Sequence, residues 1–166
     1  MADGQRVHFA SAMTLLERSD GDVGASYLDL AQVLVQHGAH AARDLEQLWR
    51  RVVFFVCVSN VDDHLRNHGF LLEPHGWSLA PAYDVNPVPG EGVGGLTLNV
   101  SETDNAQALE LVRDVARYFR LSARRADEII AEVVRAVRDW RKQAKAVGIP
   151  RAQQDLMAPA FRVAGE

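Results

Sequence analysis

Between Val52 and His68 the chain passes, with no spacer, from its most apolar run to its most polar one. The stretch VVFFVCV, residues 52–58, is apolar on every side, and a segment of that kind belongs in a core. SNVDDHLRNH, residues 59–68, then sets carboxylates, amides, imidazoles and a guanidinium directly against that buried end. Polar groups in such a place are expensive unless they have partners or a task. A 3.6-residue pattern that begins at Ala42 places Leu45, Leu48, Trp49, Val52, Val53 and Val56 on one broad face. The β-branched residues of 52–58 would also suit a strand, but the longer period predicts a helix over 42–58 running through the centre of the domain.

Around that helix the signals are of ordinary strength. Residues 26–36 carry Leu28, Ala31, Val35 and Tyr27, Leu30, Leu34 at helical spacing, with Ser26 placed to cap and Gly38 to stop the helix. Residues 69–73 and 77–80 flank Pro74-His75-Gly76 and predict a short hairpin. Residues 81–95, rich in Pro and Gly, read as an irregular loop long enough to have a function. Residues 106–119 and 122–147 predict two amphipathic helices, with Ile129, Ile130, Val133, Val134, Val137 and Trp140 on the buried side of the second. Trp77 is expected to pack on the loop that carries Asp84. The fold class is therefore mostly α with a small β-hairpin. Residues 1–166 form one domain, with a motif-bearing core at 59–99 and a basic helical end at 106–147.

The chain has 166 residues and a net charge of −4, which argues against a coat for nucleic acid or an anionic membrane. That total conceals −9 over residues 1–110 and +6 over 111–151, so the basic end could meet an acidic partner or could simply be a solvated helix. No apolar run approaches the roughly 18–20 residues of a membrane span. The segment MADGQRVHF lacks a secretory pattern, and one cysteine, Cys57, makes no internal disulfide; a cytoplasmic protein with no membrane partner is expected. Cys57 itself reads as a small buried hydrophobe.

The polar run carries a chemical logic. Phosphoryl transfer needs a carboxylate to orient an attacking hydroxyl and accept its proton, together with oxygen ligands that hold Mg²⁺ on the phosphates. Protein kinases offer these as Asp, four residues, then Asn on a catalytic loop, with a second Asp on a later loop. Asp62 and Asn67 have that spacing, and Asp84 follows the predicted hairpin.

The run SNVDDHLRNHGFLLEPHGWSLAPAYDVNP resembles the catalytic core of the HipA family, bacterial serine/threonine protein kinases that act as toxins of toxin–antitoxin pairs. Residues 60–67 match its Asn-x-Asp-(Asp/Gly)-His-x-(Lys/Arg)-Asn motif, and residues 79–84 match Leu-(Ala/Thr)-Pro-x-Tyr-Asp. The segments RVHFASAMTLL, ASYLDLAQVL and LTLNVSETDN are similar to the family as well. The resemblance implies a kinase-like carboxy-terminal lobe in which Asp62 is the catalytic carboxylate and Asn67 and Asp84 are Mg²⁺ ligands. It further implies that His64 braces the loop and Arg66 screens phosphate charge, while Asp63 has no assigned chemistry. ATP is the implied co-substrate and Mg²⁺ the implied cofactor. The implied partners are a protein substrate, a HipB-like helix-turn-helix antitoxin through which DNA is met only indirectly, and an N-terminal kinase lobe supplied in cis or in trans. Without that lobe, which carries the phosphate-covering loop, a lysine and the adenine hinge, the isolated chain is expected to be inactive.

Two other readings stand beside this one. His64 and His68, at i and i+4, would chelate Zn²⁺ from one helix face, although the Glu expected beside the first His is absent. Alternatively the chain is a non-catalytic relic that binds an antitoxin, DNA or a partner lobe through its basic helices. Gly92, Gly94 and Gly95 would cradle a phosphate only if a strand-to-helix turn followed them, and they read instead as a flexible loop.

Overall fold

The computed structural model describes residues 6–19, 21–90 and 94–165. Strand β1 (Phe9–Ser11) leads into a single helical turn, α1 (Ala12–Leu15), and then into α2 (Tyr27–His37) and α3 (Ala41–Val58). Strands β2 (Gly69–Glu73) and β3 (Gly76–Leu79) follow, then α4 (Leu109–Val115), α5 (Ala123–Arg138), α6 (Trp140–Ala146), α7 (Arg151–Met157) and a last turn, α8 (Arg162–Gly165). The mostly helical reading is borne out.

The central position of α3 follows from its sequence. Leu45, Leu48, Trp49, Val52, Val53, Val56 and Cys57 are wholly buried, and α2, α4, α5 and α8 all pack against it. Of the apolar run only Phe54 reaches the surface. The Trp49 indole, inside this core, donates from Nε1 to the Val112 carbonyl at 3.2 Å, as a buried indole N–H requires a partner. α2 opens on a capping box: Ser26 Oγ accepts from the Asp29 amide at 3.3 Å, and the Asp29 carboxylate accepts from the Ser26 amide at 2.8 Å. Gly38 ends it, as expected.

The hairpin is part of a larger sheet. β1 pairs antiparallel with β2, which pairs with β3, so the sheet has three strands where the sequence predicts two. β1 is only three residues long, too short for an alternation pattern to declare it. The sheet is pinned to α3 by Asp44, a buried carboxylate that accepts from Arg43 Nε, Ser78 Oγ and the Leu79 amide at 2.9, 3.2 and 2.9 Å.

Three further expectations are corrected. The helix expected over 122–147 is broken at Asp139, and the turn swings α6 so that Trp140 stacks face to face on Phe161, with centroids 4.2 Å apart and planes at 10°. Trp140 is therefore half-buried against the carboxy-terminal turns and is not a core residue. The helix expected from 106 begins at Leu109, because Asp104 holds the Ala106 amide in a turn at 2.9 Å. Trp77 packs against the His8 ring at 5.7 Å and lines a recess with Leu15, Leu16 and His37, away from the loop it was expected to support.

The basic end is largely self-compensated. Arg125 forms a forked pair with Glu46 of α3 at 3.1 and 2.7 Å, and Arg113 does the same with Asp127 at 2.6 and 2.8 Å. Arg124 pairs with Glu128, Arg141 and Arg151 with Asp155, and Arg138 donates to the Ala164 carbonyl. Much of the positive charge is thus spent on contacts within the domain.

Cys57 is fully buried in α3, and burial pushes its thiol up to about 11. A neutral, walled-in thiol is unreactive. At pH 8 a disulfide reagent such as Ellman's is expected to leave native protein unlabelled and to titrate one thiol in denaturant. Rapid labelling under native conditions would show that α3 opens at its carboxyl end.

Candidate active site

The candidate site begins where α3 ends. Ser59 closes the helix in the left-handed region, at φ 51° and ψ 50°, a conformation that costs a non-glycine residue roughly 1–2 kcal/mol. Tertiary contacts hold it there: its carbonyl accepts from the Val61 amide at 2.9 Å and from the Val88 amide at 3.2 Å. The chain is thereby turned out of the core into the loop 60–68, which is folded back on itself. Asn67 donates from its backbone amide to the His64 carbonyl at 2.8 Å and from Nδ2 to the Asp62 carbonyl at 3.3 Å.

Two neighbouring aspartates in this loop have opposite surroundings. Asp62 is exposed. Asp63 is 1% exposed, and its Oδ2 accepts from the Tyr27 hydroxyl at 2.8 Å and from His68 Nε2 at 2.7 Å. Tyr27 lies on α2 and is fully buried; burial, followed by the adjacent Asp63 charge and hydrogen bond, drives its phenol well above the ordinary tyrosine range. His68 is held edge-on to the rings of Tyr27 and Phe55, at 5.8 and 6.1 Å. The imidazole that braces the loop is therefore His68. His64, expected in that role, contributes its carbonyl to the short turn at Leu65–Asn67, and its buried Nδ1 has no partner among the described residues.

The second half of the site is the segment after β3. Ala80 is fixed by its amide bond to the Gly69 carbonyl at 2.9 Å and by Arg51 Nη2 on its own carbonyl at 2.6 Å. Arg51 rises from α3 beneath the segment; burial lowers its pKa, while the charges of Asp44 and Asp63 oppose that. Three hydrogen bonds then lace the two loops together. The Tyr83 hydroxyl donates to the Arg66 carbonyl at 2.5 Å, the Asn86 amide to Asn60 Oδ1 at 3.0 Å, and the Val88 amide to the Ser59 carbonyl. Burial, and after it the charges of Asp63 and Asp84, raise the Tyr83 phenol, while Arg51 opposes them. Asp84 itself is exposed and left-handed at φ 54°, with Oδ1 accepting from Asn86 Nδ2 at 2.9 Å.

The donor set that results is hard and made of oxygen. Asn67 spends its amide nitrogen on the loop backbone, which leaves Oδ1 for a cation; Asp84 spends one carboxylate oxygen on Asn86, which leaves the other. One amide oxygen and one carboxylate, completed by water and phosphate oxygens, suit Mg²⁺, which rarely takes an all-protein cage. The zinc arrangement is not formed. His64 and His68 do not share a helix, His68 Nε2 is taken by Asp63, and among the described residues no three His, Cys, Asp or Glu side chains gather at ligand distance.

Gly92 lies outside the described residues. The chain after Gly94 and Gly95 does not form a phosphate cradle: the Leu96 amide and carbonyl bond to Asn105, and Leu96, Leu98 and Val100 are buried. Thr97 Oγ1 donates to the Val61 carbonyl at 2.6 Å, so this segment supports the catalytic-type loop from its other side.

Among known proteins, the chain matches the family model described as HipA-like C-terminal domain over residues 2–141. Its fold superimposes with a TM-score of 0.72 on a chain of the Shewanella oneidensis toxin–antitoxin complex of HipA, HipB and operator DNA, covering 99% of this chain and 44% of that one. At 14% identity that likeness is one of fold. A Haemophilus influenzae protein named "Putative kinase" is 31% identical over 75 residues, which are 43% of this chain and 22% of that protein. The chain thus spans less than half the length of the relatives it matches. With a family match across most of its length, a helical architecture shared with the HipA complex and both sequence motifs brought side by side, the chain belongs to the family of HipA-like C-terminal domains.

Proposed function

We propose that this domain is the catalytic lobe of an ATP- and Mg²⁺-dependent serine/threonine protein kinase, the toxin of a toxin–antitoxin pair. The observation that carries the reading is the lacing of the Asp62–Asn67 loop to the Asp84 loop by the Tyr83–Arg66 and Asn86–Asn60 hydrogen bonds. Two motifs separated in the chain are joined at the point where a kinase needs both. Asp62, exposed at the loop's edge, orients the substrate hydroxyl and accepts its proton. Asn67 Oδ1 and the Asp84 carboxylate hold Mg²⁺, which when bound neutralises charge on the nucleotide phosphates. The Arg66 guanidinium stands two residues after His64 on the same loop and screens charge during transfer. An N-terminal lobe, in cis or in trans, covers the nucleotide, and a HipB-like antitoxin is the regulatory partner that meets DNA. Internal pairing of the arginines at the helical end weighs against the alternative of a pure interaction module that binds through that surface.

Co-expression with a candidate upstream lobe, followed by a phosphotransfer assay with ATP and Mg²⁺, tests the reading. Asp84→Ala in that enzyme is expected to abolish turnover and to weaken Mg²⁺-ATP binding by about tenfold or more, since a metal ligand is lost. An Asp84→Ala protein that binds Mg²⁺-ATP as the parent does would remove Asp84 from the metal site.

A further inference from the structure

The buried Asp63 carboxylate and its two donors occupy a particular place relative to the candidate catalytic groups. Asp63 immediately follows Asp62, and His68 immediately follows Asn67. The 2.7 Å bond between Asp63 and His68 therefore closes the loop at its base, directly beneath the two residues to which the kinase reading gives chemistry. The base has no slack. Both side chains are about 1% exposed, the Tyr27 hydroxyl adds a third member from α2, and the His68 carbonyl is held by the Ala12 amide at 2.7 Å. Tyr27 is anchored in turn, standing as the first residue of a capped helix with its own amide on the Asn99 carbonyl at 2.9 Å. Above this base Asp62 is free to face a substrate while its backbone stays fixed by Asn67.

We infer that Tyr27, Asp63 and His68 are positioning residues for phosphoryl transfer, a buried clamp that sets the separation and orientation of Asp62 and Asn67. The inference rests on the kinase reading above. Its physical basis is that catalysis by positioning is steep in distance, so that a displacement of about 1 Å can lower a rate by about 10²-fold. A side chain on an exposed loop keeps such a position only if groups behind it are locked by packing and hydrogen bonds.

The test uses the complete kinase with two substitutions and a rescue. Tyr27→Phe removes one hydroxyl and keeps the ring; His68→Leu removes the donor to Asp63; His68→Gln returns an amide donor at similar reach. For the first two, kcat is expected to fall about tenfold or more with the nucleotide KM held within about twofold, and His68→Gln to recover most of the loss. Hydrogen exchange supplies a readout independent of activity: the Asn67 amide should exchange about tenfold faster in Tyr27→Phe and His68→Leu, with amides of α5 unchanged. Parental exchange at Asn67 in both folded variants would overturn the clamp. Faster exchange with parental kcat would overturn its part in transfer. If the complete parent protein transferred no phosphate from Mg²⁺-ATP, the kinase reading itself would fall, and the exchange result would still decide whether the loop is clamped.

Discussion

Asp62→Asn in the complete kinase is expected to lower phosphotransfer by about 10²–10⁴-fold, the usual worth of a positioned general base, while nucleotide affinity stays within a few-fold of the parent. The two halves of that expectation come from different features. Asp62 is exposed and offers the substrate side a carboxylate that the loop backbone carries at a fixed place, through the Asn67 Nδ2 bond to the Asp62 carbonyl. In the proposed arrangement the cation is held by Asn67 and Asp84, so replacing Asp62 would leave the metal side intact. Stability should not fall either, because an exposed side chain contributes little core area and the neighbouring Asp63 charge is relieved of a like charge. Steady-state kinetics, nucleotide titration and a melting curve on one preparation check all three. A variant that retains more than about a tenth of the parent rate would exclude Asp62 from the catalytic role.

Asp63→Ala should behave in the opposite way, as a folding lesion first. Its side chain is sealed from water and is the acceptor for both Tyr27 and His68, so truncation strands two buried donors. Leaving a buried donor without its acceptor typically costs about 1–3 kcal/mol, and two donors are stranded here. For a chain of this length that corresponds to a fall in Tm of roughly 10 °C. Asp63→Asn keeps an acceptor oxygen and should lose appreciably less. The comparison of the two by thermal denaturation separates a hydrogen-bonding role from simple space filling. A Tm within about 2 °C of the parent for Asp63→Ala would mean that the buried network contributes little to the fold.

The contrast between adjacent aspartates shows where reading the chain reaches its limit. Position 62 could be singled out as a candidate because the spacing of Asp62 to Asn67, and the later Asp84, is local information written within single loops. Asp63 had no assigned chemistry, and nothing near it in the chain announces Tyr27, which arrives from α2, 36 residues earlier. His68 was visible only as one half of a chelating pair with His64, a role that its burial against Phe55 and Tyr27 rules out. Tyr83, inside the second motif, had no stated task until its hydroxyl was found on the Arg66 carbonyl.

The same division runs through the fold. Helices α2 and α3 were readable to within a residue, since an apolar period of 3.6 is a local code, sharpened for α2 by a capping serine and a stopping glycine. Strand β1, the break at Asp139 and the packing of Trp77 were not, because each depends on what the segment meets: a partner strand for β1, Phe161 for Trp140, and His8 for Trp77. By itself the sequence determined the helical frame, the buried course of α3 and the residue types available for phosphoryl chemistry. Only the tertiary structure decided which of the polar residues beyond Val58 face solvent and which are locked beneath them, because a buried hydrogen bond is chosen by what packing brings within about 3 Å, however far apart the partners stand in the chain.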